Sequence, residues 1–446
     1  MKDYLQIIND PQADTQARLE ALKTLETKGS KSQEMRTGEI NNHIHTIYSF
    51  SPYTPSMAAL QARNAGLAAA GSVDHDSIAA APELLAACAI LGIGGCVGFE
   101  VRVSFKDGPF RDRKINNPDS AGLVYMTVQG VPEPKRKAAG EFLKPIRAER
   151  LQRTRAMTQG ANVLLGETGF EAIDFDRDIL EQSQYANGGE ITERHLLAAV
   201  AKKLIQRYGK GPALVQGLAA RFGVEPGAKI TALLSEPDNP HYQFDLLGVL
   251  KSTVLPRIFI QPNEKECIPA GEVVHFARSI GAIPAYAYLG DVGESPTGDK
   301  KAEHFEDAYL DALFDELRHL GYQAIAYMPP RNTEEQLRRV RQLCTERGFM
   351  EISGVDINSS RQSFNCPEVL APSCRHLVDT TWALIAHERL SSVDPRLGIF
   401  APDNPLAAAS LAARITAYAA AGRELDPYHP EASAMQLAQK IAQGAL

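Results

Sequence analysis

The chain has 446 residues, 44% hydrophobic and 23% charged, with a formal net charge of −7. That length exceeds one small domain and suffices for a large barrel with appendages, and the composition is that of a globular enzyme. No apolar run approaches the roughly 20 residues of a membrane span, the opening "MKDYLQIINDPQADTQ" lacks the apolar core of a secretory signal, and the negative balance gives no general attraction for nucleic acid, a local basic patch excepted.

The six cysteines (Cys88, Cys96, Cys267, Cys344, Cys366, Cys374) are scattered and form no CxxC. That predicts reduced thiols and a cytoplasmic protein rather than a disulfide frame or a cysteine metal site.

From the N-terminus, residues 1–37 predict a helical arm, with Leu19, Leu22 and Leu25 at helical spacing before a Gly-Ser-Lys-Ser break at 29–32. "GEINNHIHT" predicts a short strand. "TPSMAALQARNAGLAA" predicts a helix with Thr54 as its cap and Pro55 in its first turn. "AAAGSVDHDS" is a second strand, "IAAAPELLAACAILG" a second helix and "CVGFEVRVSF" a third strand. Strands alternating with helices of this length predict a parallel sheet, whose sites lie at the C-terminal strand ends. "GIGGCVG" precedes a strand rather than joining strand to helix, so it predicts a helix stop and not a dinucleotide loop.

The middle, about 106–190, predicts an insertion carrying a strand "GLVYMTVQG" and a basic helix. That helix has Lys135, Arg136, Lys137, Lys144, Arg147, Arg150, Arg153 and Arg155, a run able to attract a polyanionic substrate but more often a solvated face. "ITERHLLAAVAKKLIQRYGKG" predicts a helix capped by Thr192 with Glu193 in its first turn. Three helix–strand units follow, ending in the strands "AIPAYAYLG", "YQAIAYMPP" and "GFMEISGVDINSS". After residue 370 an Ala-rich stretch predicts a C-terminal helical appendage, 371–446. His304, His319 and the pair His387-Glu388 sit in helical patterns and predict surface or packing roles.

The chemistry begins with His43 and His45. On a strand, residues two apart share a face, so both imidazoles can reach one ion. Asp74 and His75 end the second strand, Glu100 lies in the apolar third, and Asp356 follows the last. A carboxylate in an apolar strand requires a partner or a metal.

"NNHIHTIYS", "SVDHDSIAAAPELLAAC", "GIGGCVGFEVRVSF", "ITERHLLAAVAKKL" and "GFMEISGVDINS", in this order, resemble the PHP (polymerase and histidinol phosphatase) domain family. The likeness spans about residues 38–370. It implies an α/β fold: a distorted, seven-stranded TIM-like (βα) barrel related to the amidohydrolases, here with the arm, the insertion and the appendage. It further implies a metal-dependent phosphoesterase that uses a metal-bound hydroxide on a small phosphorylated substrate.

By the same resemblance His43, His45, Glu100 and Asp356 hold a first ion, and Glu100 with His195 reach a second. Asp74 and His75 belong to a third site or stand behind the ligands, and Glu100, His195 and Asp356 are the residues of catalysis. Imidazole and carboxylate suit zinc, manganese or iron. Arg194 is the implied phosphate-binding residue, with Arg331 and Arg361 as further candidates.

The chain also departs from that pattern. Tyr288 stands where the family has a histidine, Asn358 stands where it has another, and "SFSPYTP" lacks the family's early aspartate. Tyr288, Asn358 and the nearby Asp291 are thus altered-ligand candidates, and one or two ions are expected instead of three. A barrel that has lost catalysis and serves as a binding or regulatory module is the alternative. Amidohydrolase-type cleavage of C–N or C–O bonds is a further one, disfavoured because the lysine or later histidines of those enzymes have no match.

Overall fold

Ala69–His75 and Gly94–Ser104 are buried along nearly their whole lengths, as strands covered on both faces must be. They are the second and third strands of one seven-stranded sheet: β1 (Ile40–Ile44), β2 (Ala69–His75), β3 (Gly94–Ser104), β4 (Leu123–Gln129), β5 (Ile283–Ala287), β6 (Ala324–Tyr327) and β7 (Met350–Ser353), paired in that order. The structure is a computed structural model that describes residues 2–28, 37–117, 119–292 and 304–442. The Gly-Ser-Lys-Ser break expected at 29–32 lies outside the described residues.

Pairing is parallel throughout except for β4, which runs antiparallel to both β3 and β5. β4 falls inside the expected insertion, yet it is a barrel strand with both faces largely covered. The sheet closes at the seam between β1 and the residues after β7. Ile44 bridges Ile357 in parallel register, the His45 N–H donates to the Ile357 carbonyl (2.9 Å), and the Ile357 N–H donates to that of His43 (3.0 Å). Deeper in, Asn41 and Asn42 donate side-chain amide N–H groups to the carbonyls of Val355 (3.0 Å) and Ser353 (2.9 Å). The "NNHIH" run therefore supplies both the seam and the first site residues. Together these features make a distorted TIM-like barrel.

A bulge in β1 decides which way that run faces. Asn41 pairs Ala70 but Ile44 pairs Ser72, so β1 carries one extra residue. Ile40 lies with the barrel-lining cluster of Ala69, Cys96, Ala285 and Ile352, whereas Ile44 packs outward with Met57 and Leu60. The extra residue reverses the alternation, and His43 and His45 turn inward toward Glu100.

Helices cover the barrel. α1 (Lys2–Ile8) and α2 (Thr15–Lys28) form the arm, α3 (Pro55–Asn64) and α4 (Ala81–Leu91) follow β1 and β2, and α5 (Arg136–Glu167), α6 (Glu193–Tyr208) and α7 (Tyr242–Thr253) belong to the middle region. α8 (Ala270–Ser279), α9 (Leu310–Leu320) and α10 (Glu334–Arg347) precede or separate the last strands, and α11 (His376–Val393) opens the C-terminal region. The arm is docked: Ile8 and Leu22 share the core of the barrel's outer layer, and Arg18 grips Glu83 of α4 through Nε (2.9 Å) and Nη2 (2.6 Å). Thr54 caps α3 as expected, accepting the Met57 N–H, and Gly92 stops α4 with φ 66° before β3 begins.

The middle helices have a core of their own, running from Met157 to Ile258. Residues of α5, α6 and α7 share that core. α11 seals the barrel end opposite the site, with Ala383, Leu384 and Ile385 against strand residues. Its fully buried Glu388 accepts the Val97 N–H (2.7 Å), a strand donor that β4 does not reach, and pairs with Arg136 (2.9 Å). The six cysteines are free and buried. No helix among the described residues is long and apolar enough to cross a membrane.

Candidate metal centre

Register brings the side chains together. His75 of β2 lies directly opposite Glu100 of β3, and the β1 bulge aims His43 and His45 at the same carboxylate. His43 Nε2 is 3.7 Å from Glu100 Oε1, and His45 Nε2 is 3.7 Å from Glu100 Oε2. One ligand atom from each of His43, His45 and Glu100 lies within 4.8 Å of the other two. From the seam, Asp356 places Oδ1 3.4 Å from His45 Nε2.

These spacings fit an ion. Two ligands bound at about 2.1 Å in a tetrahedron stand about 3.4 Å apart, beyond a good hydrogen bond and close to the separations found here. His75 Nδ1 stands 2.9 Å from Glu100 Oε2, close enough to orient that carboxylate or to share its ion. Asp356 keeps 37% of its side-chain surface exposed, which puts it on the open side of the cluster.

Electrostatics favour the ligand forms. Burial pushes His45 down to about 3, with His75 adding to the shift and Asp356 and Glu100 opposing it. Burial pushes His75 to about 3 as well, reinforced by Arg150. Both rings are therefore neutral at physiological pH, with lone pairs available. Burial raises the Glu100 carboxyl against the pull of His43 and His45, whereas at Asp356 the pull of His45, His43 and Arg194 overcomes burial and lowers it.

The other expected site residues divide. Asp74 points away from the barrel interior and accepts from the Thr46 N–H (2.6 Å), Thr46 Oγ1 (2.6 Å) and Ser49 Oγ (2.7 Å). Ser49 in turn meets His45 Nδ1 at 3.3 Å. Asp74 thus fixes the turn after β1, behind His45. Asn358 donates Nδ2 to both Asp356 oxygens (2.7 and 2.8 Å), and its carbonyl accepts from Arg194 Nη1 (3.1 Å). His195 caps α6 with Nδ1 and packs against Phe50.

Four side chains lie elsewhere. Tyr288 packs in the outer layer and donates to Asp307 (2.6 Å), because β5 turns Ile283 and Ala285 inward and Tyr286 outward. The inward position at that strand end is Ala287. Asp291 accepts the Phe305 N–H (2.7 Å) and meets His304 Nδ1 (2.8 Å). Arg361 is held by Asp245 of α7 through Nε and Nη2 (2.5 and 2.7 Å), a two-point ion pair that ties the loop after β7 to the middle helices. Arg331 donates Nε to the Leu289 carbonyl (3.0 Å).

Pattern reading missed the buried ion network behind the site. Arg150 and Arg153 of α5 are not on a solvated face. Arg150 pairs with Asp76 (2.7 Å) and Glu193 (3.1 Å), and Arg153 with Glu193 (2.6 Å) and Glu266 (2.5 Å). Arg102 of β3 joins through Glu266. Burial would raise the Glu193 carboxyl, but Arg150, Arg102 and Arg153 hold it well below its usual range. The one available signal was the spacing of Arg150, Arg153 and Met157 along a single helix face. Phe50 and Asp76, the two described non-glycine residues with positive φ (76° and 49°), flank this region, where backbone strain commonly gathers.

No protein-family model matches the chain, and no curated protein matches it. Two solved structures are similar in outline. One is an amidohydrolase from Chromobacterium violaceum with bound sulfate and no metal, at 18% identity and a TM-score of 0.48, covering 76% of this chain and 95% of that one. The other, from Bifidobacterium adolescentis, is provisionally named a metal-dependent phosphoesterase and has 18% identity and a TM-score of 0.47, covering 77% of this chain and 98% of that one. The assignment of the site rests on its own geometry.

Proposed function

We propose that the chain is a metal-dependent hydrolase of phosphate esters. The observation that carries this reading is the convergence of His43, His45 and Glu100 within 4.8 Å, with Asp356 3.4 Å from His45. His43, His45, Glu100 and Asp356 would hold one or two divalent ions of zinc, manganese or iron, with His75 beside them. Such an ion polarises a phosphoryl oxygen and lowers the pKa of a bound water. The chain's own residues do the rest. Asp74 holds the turn that carries His45, and Asn358 orients Asp356. Arg194 brings a cation to the exposed side of Asp356, where a substrate anion would approach. That cation favours a small phosphorylated substrate over a neutral amide.

A second reading has its own observation. Asn358 spends its amide on both Asp356 oxygens and Ala287 fills an inward strand end, so the β5–β7 half of the ring offers few ligands. On that reading the barrel is a non-catalytic binding module.

Metal content separates the two. Purified protein incubated with manganese or zinc, desalted and assayed by mass spectrometry should retain at least one ion per chain. It should then hydrolyse phosphate monoesters in preference to amides. A metal-free chain that stays inactive after manganese is added would sink the first reading.

A further inference from the structure

His195 is the third residue of α6, and its ring completes the cap of that helix. The Thr192 backbone N–H donates to His195 Nδ1 at 3.0 Å, and Thr192 Oγ1 lies 3.2 Å from the same nitrogen. A backbone N–H can only donate, so Nδ1 keeps its lone pair. A neutral imidazole with that lone pair carries its proton on Nε2. A metal ligand needs the opposite, a lone pair at Nε2.

The ring cannot easily turn to offer one. Phe50 presses against it edge-on, with centroids 4.9 Å apart, and His195 is only 8% exposed. Burial, reinforced by Arg150, pushes the imidazole down to about 3, so it stays neutral. No hydrogen-bond acceptor for Nε2 is found among the described residues, so its N–H is left to meet a ligand. The ring also belongs to the site region: Phe50, which it meets, lies in the turn after β1, and the adjacent Arg194 reaches the backbone carbonyl of Asn358, whose side chain holds Asp356.

We infer that His195 is not a metal ligand but an Nε2–H donor to the oxyanion of the substrate, acting beside Arg194. The nature of that anion, a phosphate, rests on the function proposed above. Arg194 uses one of its five N–H groups on the Asn358 carbonyl, so a cation and a neutral donor stand side by side on the first turn of one helix. A helix start also favours an anion.

The test uses the full chain with 15N-labelled histidine, loaded with zinc. Long-range 15N–1H spectra of the wild type should show His195 as the Nε2–H tautomer, and inorganic phosphate should shift its Nε2 resonance. His195→Ala should keep the wild-type metal content while binding inorganic phosphate about tenfold more weakly by calorimetry. His195→Gln, which still offers an N–H, should recover part of that loss. A metal-bound Nε2, metal loss in His195→Ala, or unchanged phosphate affinity overturns the inference and leaves the hydrolase reading standing. Wild type that binds metal and phosphate through His195 yet cleaves no phosphate ester overturns the hydrolase reading alone.

Discussion

His43 and His45 share a face because they are two apart, but the face they share is inward only through the bulge between Asn41 and Ile44. Their Nε2 atoms converge on one carboxylate. Replacing both with alanine should remove the metal and any hydrolysis while leaving the far-UV circular dichroism unchanged; retained metal would show that the ligands lie elsewhere. Tyr288 gives the opposite expectation. It faces the outer layer, so Tyr288→His should leave metal content unchanged and lower stability by about 1–3 kcal/mol through loss of the bond to Asp307. Equilibrium unfolding with parallel metal analysis reads both numbers, and a gain in bound metal would contradict the orientation of β5.

Between elements, the strongest coupling is the ion network that joins α5 and α6 to β3. Glu266 is almost fully buried and serves both Arg102 and Arg153. Glu266→Ala should cost about 3–5 kcal/mol in urea unfolding, because two arginines lose a buried partner at once. A cost below about 1 kcal/mol would mean that Glu193 alone satisfies the cluster. The pair Arg361–Asp245 couples the loop after β7 to α7 in the same way. Both contacts place the middle helices against the site end of the barrel, as part of the frame that holds Arg194 and His195.

For the molecule as a whole, Glu306 is one buried group that links stability to pH. Its Oε1 accepts from Tyr286 (3.2 Å), the Leu289 N–H (2.8 Å) and the Gly290 N–H (3.3 Å), and burial still pushes the carboxyl up to about 7. A raised carboxyl favours the folded state while protonated. Its contribution is therefore full below about pH 4.5, the ordinary value, and is lost as pH rises toward 7, by about 3 kcal/mol in all. The stability of wild type relative to Glu306→Gln should therefore fall as pH rises between about 5 and 7. A variant with the wild-type slope would assign the titration to another group.

Local spacing and residue type are enough to read the βα alternation, the Thr54 and Thr192 caps and the Gly92 stop. They also single out His43, His45, Glu100 and Asp356, which the fold brings to one end of the barrel. Such features concern how side chains stand relative to one another along a single element, so the order of residues carries them in full. Features that depend on register with a neighbour emerged only in three dimensions. One extra residue in β1 turned the histidines inward, β5 turned Tyr288 outward, and β4 proved to be a barrel strand. Arg150 and Arg153 were buried by partners far away in sequence. A one-residue change of phase moves every side chain of a strand to its other face, and only the paired strand fixes that phase.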